Sequence, residues 1–176
     1  MKKVTFLPIL IFNLLMALPI SATLLFIWGL GKLTHDMLLG DFVLCVCSTL
    51  FFLAGVICVY RLFLKKWPFV EGHIPKGHPH ELRYLVYITF WLMIFHPVLR
   101  LSIIPVPLSR LVLLALGSKV GEGSYSSGLV LDPHFVTIGK GTQLGIDCLI
   151  VPHNQSHGEL AHYPIKIGNN VTIGGR

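Results

Sequence analysis

From Phe6 to Leu30 the sequence carries no charged residue and is almost wholly apolar, which at about 1.5 Å per residue is enough to cross a hydrocarbon core roughly 30 Å thick. A second apolar run, about Phe42 to Leu64, follows a short loop holding Lys32, His35, Asp36 and Asp41. Two such runs in close succession predict a membrane hairpin. The first exceeds the roughly 7 to 15 residues of a signal-peptide core, so it is expected to stay as an anchor. Composition points the same way: 53% of the 176 residues are hydrophobic, 12% are charged, and mean hydropathy is +0.73. The net charge of +6 comes from basic residues at the ends of apolar runs, the placement of orienting charges beside a bilayer rather than of a nucleic-acid surface. Lys2 and Lys3 before the first run and Arg61, Lys65 and Lys66 at the end of the second put both ends of the hairpin on the cytoplasmic side.

A third apolar run, Tyr84 to Leu116, is interrupted by Pro97, Pro105 and Pro107 and by Arg100 and Arg110. An arginine at mid-bilayer costs about 2.5 to 3.5 kcal/mol on the insertion scale. The run is therefore expected to form interfacial or re-entrant helices over about 84–116, the last of them, Leu108 to Leu116, leading into a second domain. A genuine third span would move that domain to the other side. Near Gly117 the composition shifts to Gly, Asn, His and short β-branched stretches, giving a membrane region over 1–116 and a separate domain over 117–176.

In that domain an aliphatic-Gly pair recurs every six residues: Ile138-Gly139, Leu144-Gly145, then Ile150 in the same phase, and later Ile167-Gly168 and Ile173-Gly174. Val120-Gly121 lies eighteen residues before Ile138. An aliphatic side chain every six positions faces inward on each side of a triangular coil, with a small residue four positions on (Thr142, Cys148, Val171) filling the corner. The expected fold class is an α-helical membrane hairpin followed by a short left-handed parallel β-helix of hexapeptide repeats. The phase breaks at Ser126 and Asp132, where aliphatics are expected, and between Ile150 and Ile167; Asn154 to Pro164 is expected to leave the coil as a loop. Such excursions are where solenoids place functional groups. Cys45, Cys47, Cys58 and Cys148 show no paired spacing and read as small apolar fillers.

The segments Asp132-Pro133-His134-Phe135-Val136-Thr137-Ile138-Gly139, Val151-Pro152-His153-Asn154 and His162 to Arg176 resemble the hexapeptide-repeat acyltransferases, in particular their membrane-attached branch, which includes the C-terminal regions of peptide-synthetase-like membrane proteins. The resemblance covers roughly residues 106–176. It implies acyl transfer, chiefly acetyl, from acetyl-CoA or another acyl-CoA as cosubstrate to a hydroxyl or amine on a membrane-associated acceptor such as a lipid-linked saccharide. It further implies a homotrimer in a bacterial inner (cytoplasmic) membrane, with the β-helix facing the cytoplasm.

His153 matches the position of the histidine that removes the acceptor's proton in the soluble acetyltransferases of this superfamily. A base of that kind contributes on the order of 10² to 10⁴ in rate. His134, His157 and His162 are weaker catalytic candidates. Lys140, Lys166, Gly174, Gly175 and Arg176 are the candidate contacts for CoA, whose phosphates a basic face attracts. No metal is expected, because His153, His157 and His162 are irregularly spaced and no carboxylate or cysteine completes the set. His73, His78 and His80 fall in a polar linker and are expected to be solvated. The sequence stops at Arg176, where acyl-CoA would lie on following coils. A trimer neighbour or another subunit is expected to cover that end, or the form is truncated with reduced or no activity. A non-catalytic membrane protein using an incomplete β-helix as an assembly platform is the alternative, and a transporter is a third.

Overall fold

The computed structural model describes residues 6–34, 39–75, 77–100, 104–156 and 159–175. The chain divides into two units, Thr5–Trp67 and Pro68–Arg176. In the first, α1 (Phe6–Thr34) and α2 (Gly40–Lys66) pair, with Phe26 stacked on Phe51 at 4.4 Å and Gly55 set so closely against Pro19 that a Cβ there would lie 3.1 Å from the proline ring. Large apolar side chains stay outward on both helices, among them Leu18, Leu25, Phe42 and Leu50. Both helices are long and apolar enough to cross a membrane.

The second unit opens with β1 (Gly72–Ile74) and a helical stretch made of α3 (Pro79–Phe90), a π-turn (Trp91–Phe95) and α4 (His96–Arg100). Pro79 occupies the first turn, where its missing N–H is not needed, and the His78 side chain accepts from His80 N–H at 3.3 Å. The helix runs through Pro97 instead of breaking there. The π-turn just before it already departs from the i→i−4 ladder that proline would interrupt. By length and composition Pro79–Arg100 is a third helix able to cross a membrane, where the sequence led us to expect interfacial or re-entrant segments. One face of it is buried within its unit through Tyr84, Tyr87, Trp91 and Phe95, at helical spacing. A 3₁₀ turn (Val106–Leu108) leads into α5 (Ser109–Leu116), which Gly117 ends at φ 112°, and Ser118 N–H bonds the Leu113 carbonyl at 2.9 Å.

From Lys119 the chain forms short strands in small parallel sheets: β2 (Lys119–Val120), β3 (Tyr125–Ser126), β4 (Leu129–Val130), β5 (Val136–Ile138), β6 (Gln143–Leu144), β7 (Leu149–Ile150), β10 (Ile165–Ile167) and β11 (Thr172–Ile173). The sheet orders are β10-β5-β2, β11-β6-β3 and β4-β7. Val120 sits opposite Ile138 and Ser126 opposite Leu144, the eighteen-residue offset that the sequence spacing predicts. Inward aliphatics from all three sheets, including Val120, Val130, Ile138 and Leu144, meet in one core with Leu113 of α5. Each fully buried side chain of this size contributes about 1.5 to 3 kcal/mol. Glycine follows the inward aliphatic because neighbouring strands pass closely: a Cβ on Gly139 would lie 2.4 Å from the Gly168 carbonyl oxygen. Buried Thr142 links strands by donating to the Gly168 carbonyl at 2.8 Å. The break at Ser126 is also explained, since its buried hydroxyl donates to the Gly128 carbonyl at 3.1 Å and accepts from Gly128 N–H at 3.2 Å.

Ile167 pairs with Ile138, twenty-nine residues earlier. The stretch expected as a loop is instead largely an antiparallel hairpin, β8 (His153–Ser156) and β9 (Glu159–His162), and β9 pairs on its other side with β1. Polar residues such as Asn154 and Gln155 gave no apolar alternation to read, and the third strand comes from far upstream. Cys148 lies partly buried against the core, as a small filler would.

Candidate functional site

Register brings the site together. β4 and β7 pair with Leu129 opposite Leu149 and Val130 opposite Ile150, so the two chains leave this sheet side by side. The first reaches Asp132 and the second His153. Asp132 has φ 44° and ψ 59°, a left-handed conformation that aspartate and asparagine tolerate better than most residues, and it starts the 3₁₀ turn Pro133–Phe135. Its carboxylate, 3% exposed, bonds His153 Nδ1 through Oδ2.

Burial alone would raise the Asp132 carboxyl, but the hydrogen bond and charge of His153, with help from the Tyr87 hydroxyl and His134, hold it below its ordinary range. The carboxylate is thus ionised at neutral pH and acts only as an acceptor. Nδ1 of His153 must carry the proton, and in the neutral ring the lone pair sits on Nε2. His153 remains partly exposed, with 19% of its side chain accessible.

The other histidines gather around this pair. His162 lies opposite His153 in the β8–β9 hairpin, is 1% exposed, and stacks on Phe135 at 4.9 Å with Tyr84 edge-on at 5.2 Å. Desolvation drives its pKa down to about 4, although the Asp132 charge partly opposes the shift. His134 stacks on Phe69 and meets Tyr87 edge-on, both at 5.3 Å. These two are therefore packed within an aromatic cluster, whereas His153 lines a cavity of about 310 Å³ with Asp132, Tyr87, Trp91, Leu131 and Leu149. Among the described residues no three His, Cys, Asp or Glu side chains converge as metal ligands.

His157 and Arg176 lie outside the described residues. Lys140, Lys166, Gly174 and Gly175 are exposed and do not line the His153 cavity, and Lys140 Nζ lies 4.0 Å from the carboxylate of exposed Glu122. Lys119 and Lys166 flank Thr137 in register across the β10-β5-β2 sheet, which sets two cations on one strip. His73 and His78 are exposed, as expected, with His73 3.5 Å from Glu159, while His80 is half-buried. Asp132 was visible in the sequence as a break in the aliphatic phase but carried no assigned role there. Compared with protein-family models, curated proteins and solved structures, the chain matches none.

Proposed function

We propose that residues 117–176 form a short left-handed β-helix of the hexapeptide-repeat kind, and that the protein is a membrane-anchored acyltransferase in which His153 is the general base. The observation that carries this reading is the buried Asp132 bonded to Nδ1 of a partly exposed His153 that lines a cavity. Asp132 fixes the ring's orientation and tautomer, which leaves Nε2 able to accept a proton. An acceptor hydroxyl or amine attacks the thioester carbonyl, its proton passes to Nε2, and the carbon–sulfur bond breaks as the proton is delivered to the departing CoA thiolate. The acyl group is acetyl in this reading, and the acceptor is a membrane-associated molecule such as a lipid-linked saccharide.

CoA phosphates are drawn to the exposed strip that carries Lys119 and Lys166, with Lys140, Gly174, Gly175 and Arg176 as the further candidate contacts. The protein sits in a bacterial inner membrane with Pro79–Arg100 lying along the bilayer instead of crossing it, which keeps the β-helix in the cytoplasm, where acyl-CoA is found. It works as a homotrimer that covers the open strands of each copy, and native mass spectrometry from detergent showing only monomers would remove that part.

The test substitutes His153→Asn, because an asparagine amide reaches the Nδ1 position and still donates to Asp132. Turnover should fall on the order of 10² to 10⁴-fold with acetyl-CoA affinity unchanged. Detergent-purified protein that binds no acyl-CoA, or a variant that keeps more than about a tenth of the turnover, refutes the assignment.

A further inference from the structure

The cavity beside His153 is walled mostly by hydrocarbon: Ile88, Trp91 and Leu92 from the helix Pro79–Arg100, and Leu129, Leu131 and Leu149 from the β4–β7 side. Polar atoms among its neighbours are turned elsewhere. The Trp91 indole N–H is buried, the Tyr87 hydroxyl is buried beside Asp132, and Asp132 itself is 3% exposed and held by His153. His96 and Arg100 also line the cavity, but Arg100 lies thirteen residues beyond Tyr87, roughly 20 Å along the helix at 1.5 Å per residue, and so away from the Asp132–His153 pair. The pair offers the cavity His153 Nε2, which has no partner among the described residues.

A sugar beside His153 would bring a hydroxyl on nearly every carbon to walls that cannot bond them, and a charged ammonium would fare worse. The volume, about 310 Å³, is twice the roughly 150 Å³ at which a dry apolar cavity takes up benzene, so an alkyl chain on the order of ten carbons suits it and an acetyl methyl leaves it nearly empty. The lysines of the strip assigned to CoA do not line this cavity, which leaves it to the acceptor. Leu92 and Leu149, both more than half exposed, stand at its edge, and the helix that carries Leu92 is apolar enough to lie in lipid.

We infer that the cavity is a hydrocarbon site for a long-chain alcohol, a lipid whose hydroxyl is borne next to its alkyl chain and meets His153 Nε2. Naming this alcohol the acyl acceptor rests on the acyl-transfer reading; the hydrocarbon site does not. In that reading the hydroxyl proton passes to Nε2, the oxygen bonds the acyl carbon, the carbon–sulfur bond breaks, and the proton ends on the CoA thiolate, giving an ester and free CoA.

The test uses the full chain in nanodiscs with a 1-alkanol of about ten carbons bearing a diazirine near its far end, and the alkane matched to it. The alkanol should label the segments 87–92 and 129–131. Bilayer and cavity are equally apolar, so the hydroxyl decides: the alkanol should label these segments roughly 2- to 10-fold more than the alkane, the factor one hydrogen bond supplies. His153→Asn, whose amide stops at the Nδ1 position, should erase that advantage. Ile88→Trp and Leu131→Trp fill the cavity from opposite walls, and each should abolish the labelling there while labelling of Phe6–Thr34 and Gly40–Lys66 stays constant. The alcohol-to-alkane ratio on the unsubstituted chain keeps the inference testable should either indole unfold the unit. An alkane that labels as strongly as the alcohol, labelling that survives both Trp substitutions, or displacement by an excess of soluble methyl glycoside overturns the inference. Protection by decanoyl-CoA but not by decanol also overturns it, since the chain would then belong to the donor. Expected labelling without acetyl transfer to the alkanol upholds the hydrocarbon site and removes the acyl-transfer reading, while transfer to a soluble glycoside with labelling indifferent to the Trp substitutions does the reverse.

Discussion

Asp132→Asn isolates the contribution of one charge to the proposed chemistry. The backbone at residue 132 is left-handed, φ 44°, which asparagine adopts nearly as readily as aspartate, so the turn should be kept. Asp132 is 3% exposed and its carboxylate oxygen faces His153 Nδ1, so the new amide stays beside the ring. What changes is the demand on the imidazole. A carboxylate only accepts and fixes the proton on Nδ1, whereas an amide NH₂ donates and favours the tautomer with its proton on Nε2. Nε2 then has no lone pair to offer.

Loss of tautomer control together with loss of the charge that stabilises the imidazolium is expected to lower kcat on the order of 10³ to 10⁴-fold, about 4 to 5.5 kcal/mol in activation free energy. Stability should fall by no more than about 1 to 3 kcal/mol, the scale of one buried hydrogen bond to a charged group. Steady-state turnover with acetyl-CoA, donor affinity by calorimetry and thermal melting in detergent together give the answer. Turnover within about tenfold of the parent, with an unchanged melt, would show that Asp132 does not set the state of His153, because general-base catalysis alone is worth more than that.

Leu144→Ala should destabilise the second unit by about 2 to 5 kcal/mol, read as a lower denaturant midpoint in detergent, because Leu144 is 1% exposed in the core shared by the three sheets. His162 has its folded pKa lowered to about 4 from 6.5, so between those values the unfolded chain binds more protons and stability falls as pH drops through the window. The loss should reach roughly 1 to 2 kcal/mol once solvent screening is allowed for, and His162→Leu should flatten the melting temperature between pH 7 and 5. Asp132, held below its ordinary 3.8, loses its contribution only at lower pH. For orientation, Lys140→Cys should resist an impermeant thiol reagent in intact cells, and rapid labelling would place the second unit outside.

The hairpin and the six-residue phase were legible because each rests on a periodic apolar signal that needs no long-range information. The stretch between Tyr84 and Leu116 was not, because two demands are written over one another there. Tyr84, Tyr87, Trp91 and Phe95 are buried inside the unit, while Leu92 and Met93 of the same helix are 55% and 64% exposed. An apolar residue reads alike for core and for lipid, so periodicity could not separate them. The His153–His162 hairpin was missed for the opposite reason: its strands are polar, and its pairing with Gly72–Ile74 joins segments far apart in sequence. Of the catalytic candidates, the structure groups His134, His153 and His162 around Asp132, and burial of ring nitrogens, which sequence does not show, sets His134 and His162 apart from the cavity-lining His153.

Asp132 and His153 looked like unrelated irregularities, one a break in the aliphatic phase and one the point where the chain leaves the repeat. The pairing of Val130 with Ile150 makes them one feature, because each lies just beyond the same edge of one small sheet. A carboxylate at 3% exposure is tolerated only with a partner that bonds and balances it, so the two positions are coupled in stability as well as in chemistry. This coupling changes what a truncation at 153 reports. His153→Ala removes the partner and leaves Asp132 buried and unpaired, a loss of about 3 to 5 kcal/mol if the carboxylate stays charged and less if it takes up a proton. His153→Asn keeps a donor in place and should lose far less stability while losing the same turnover. In a double-mutant cycle, adding Asp132→Asn should cost His153→Ala almost nothing further, and the coupling energy between the two sites should exceed about 1 kcal/mol. Melting measurements that find the two substitutions additive would mean that Asp132 is satisfied by other groups, and that the contact with His153 neither holds the carboxylate nor orients the ring.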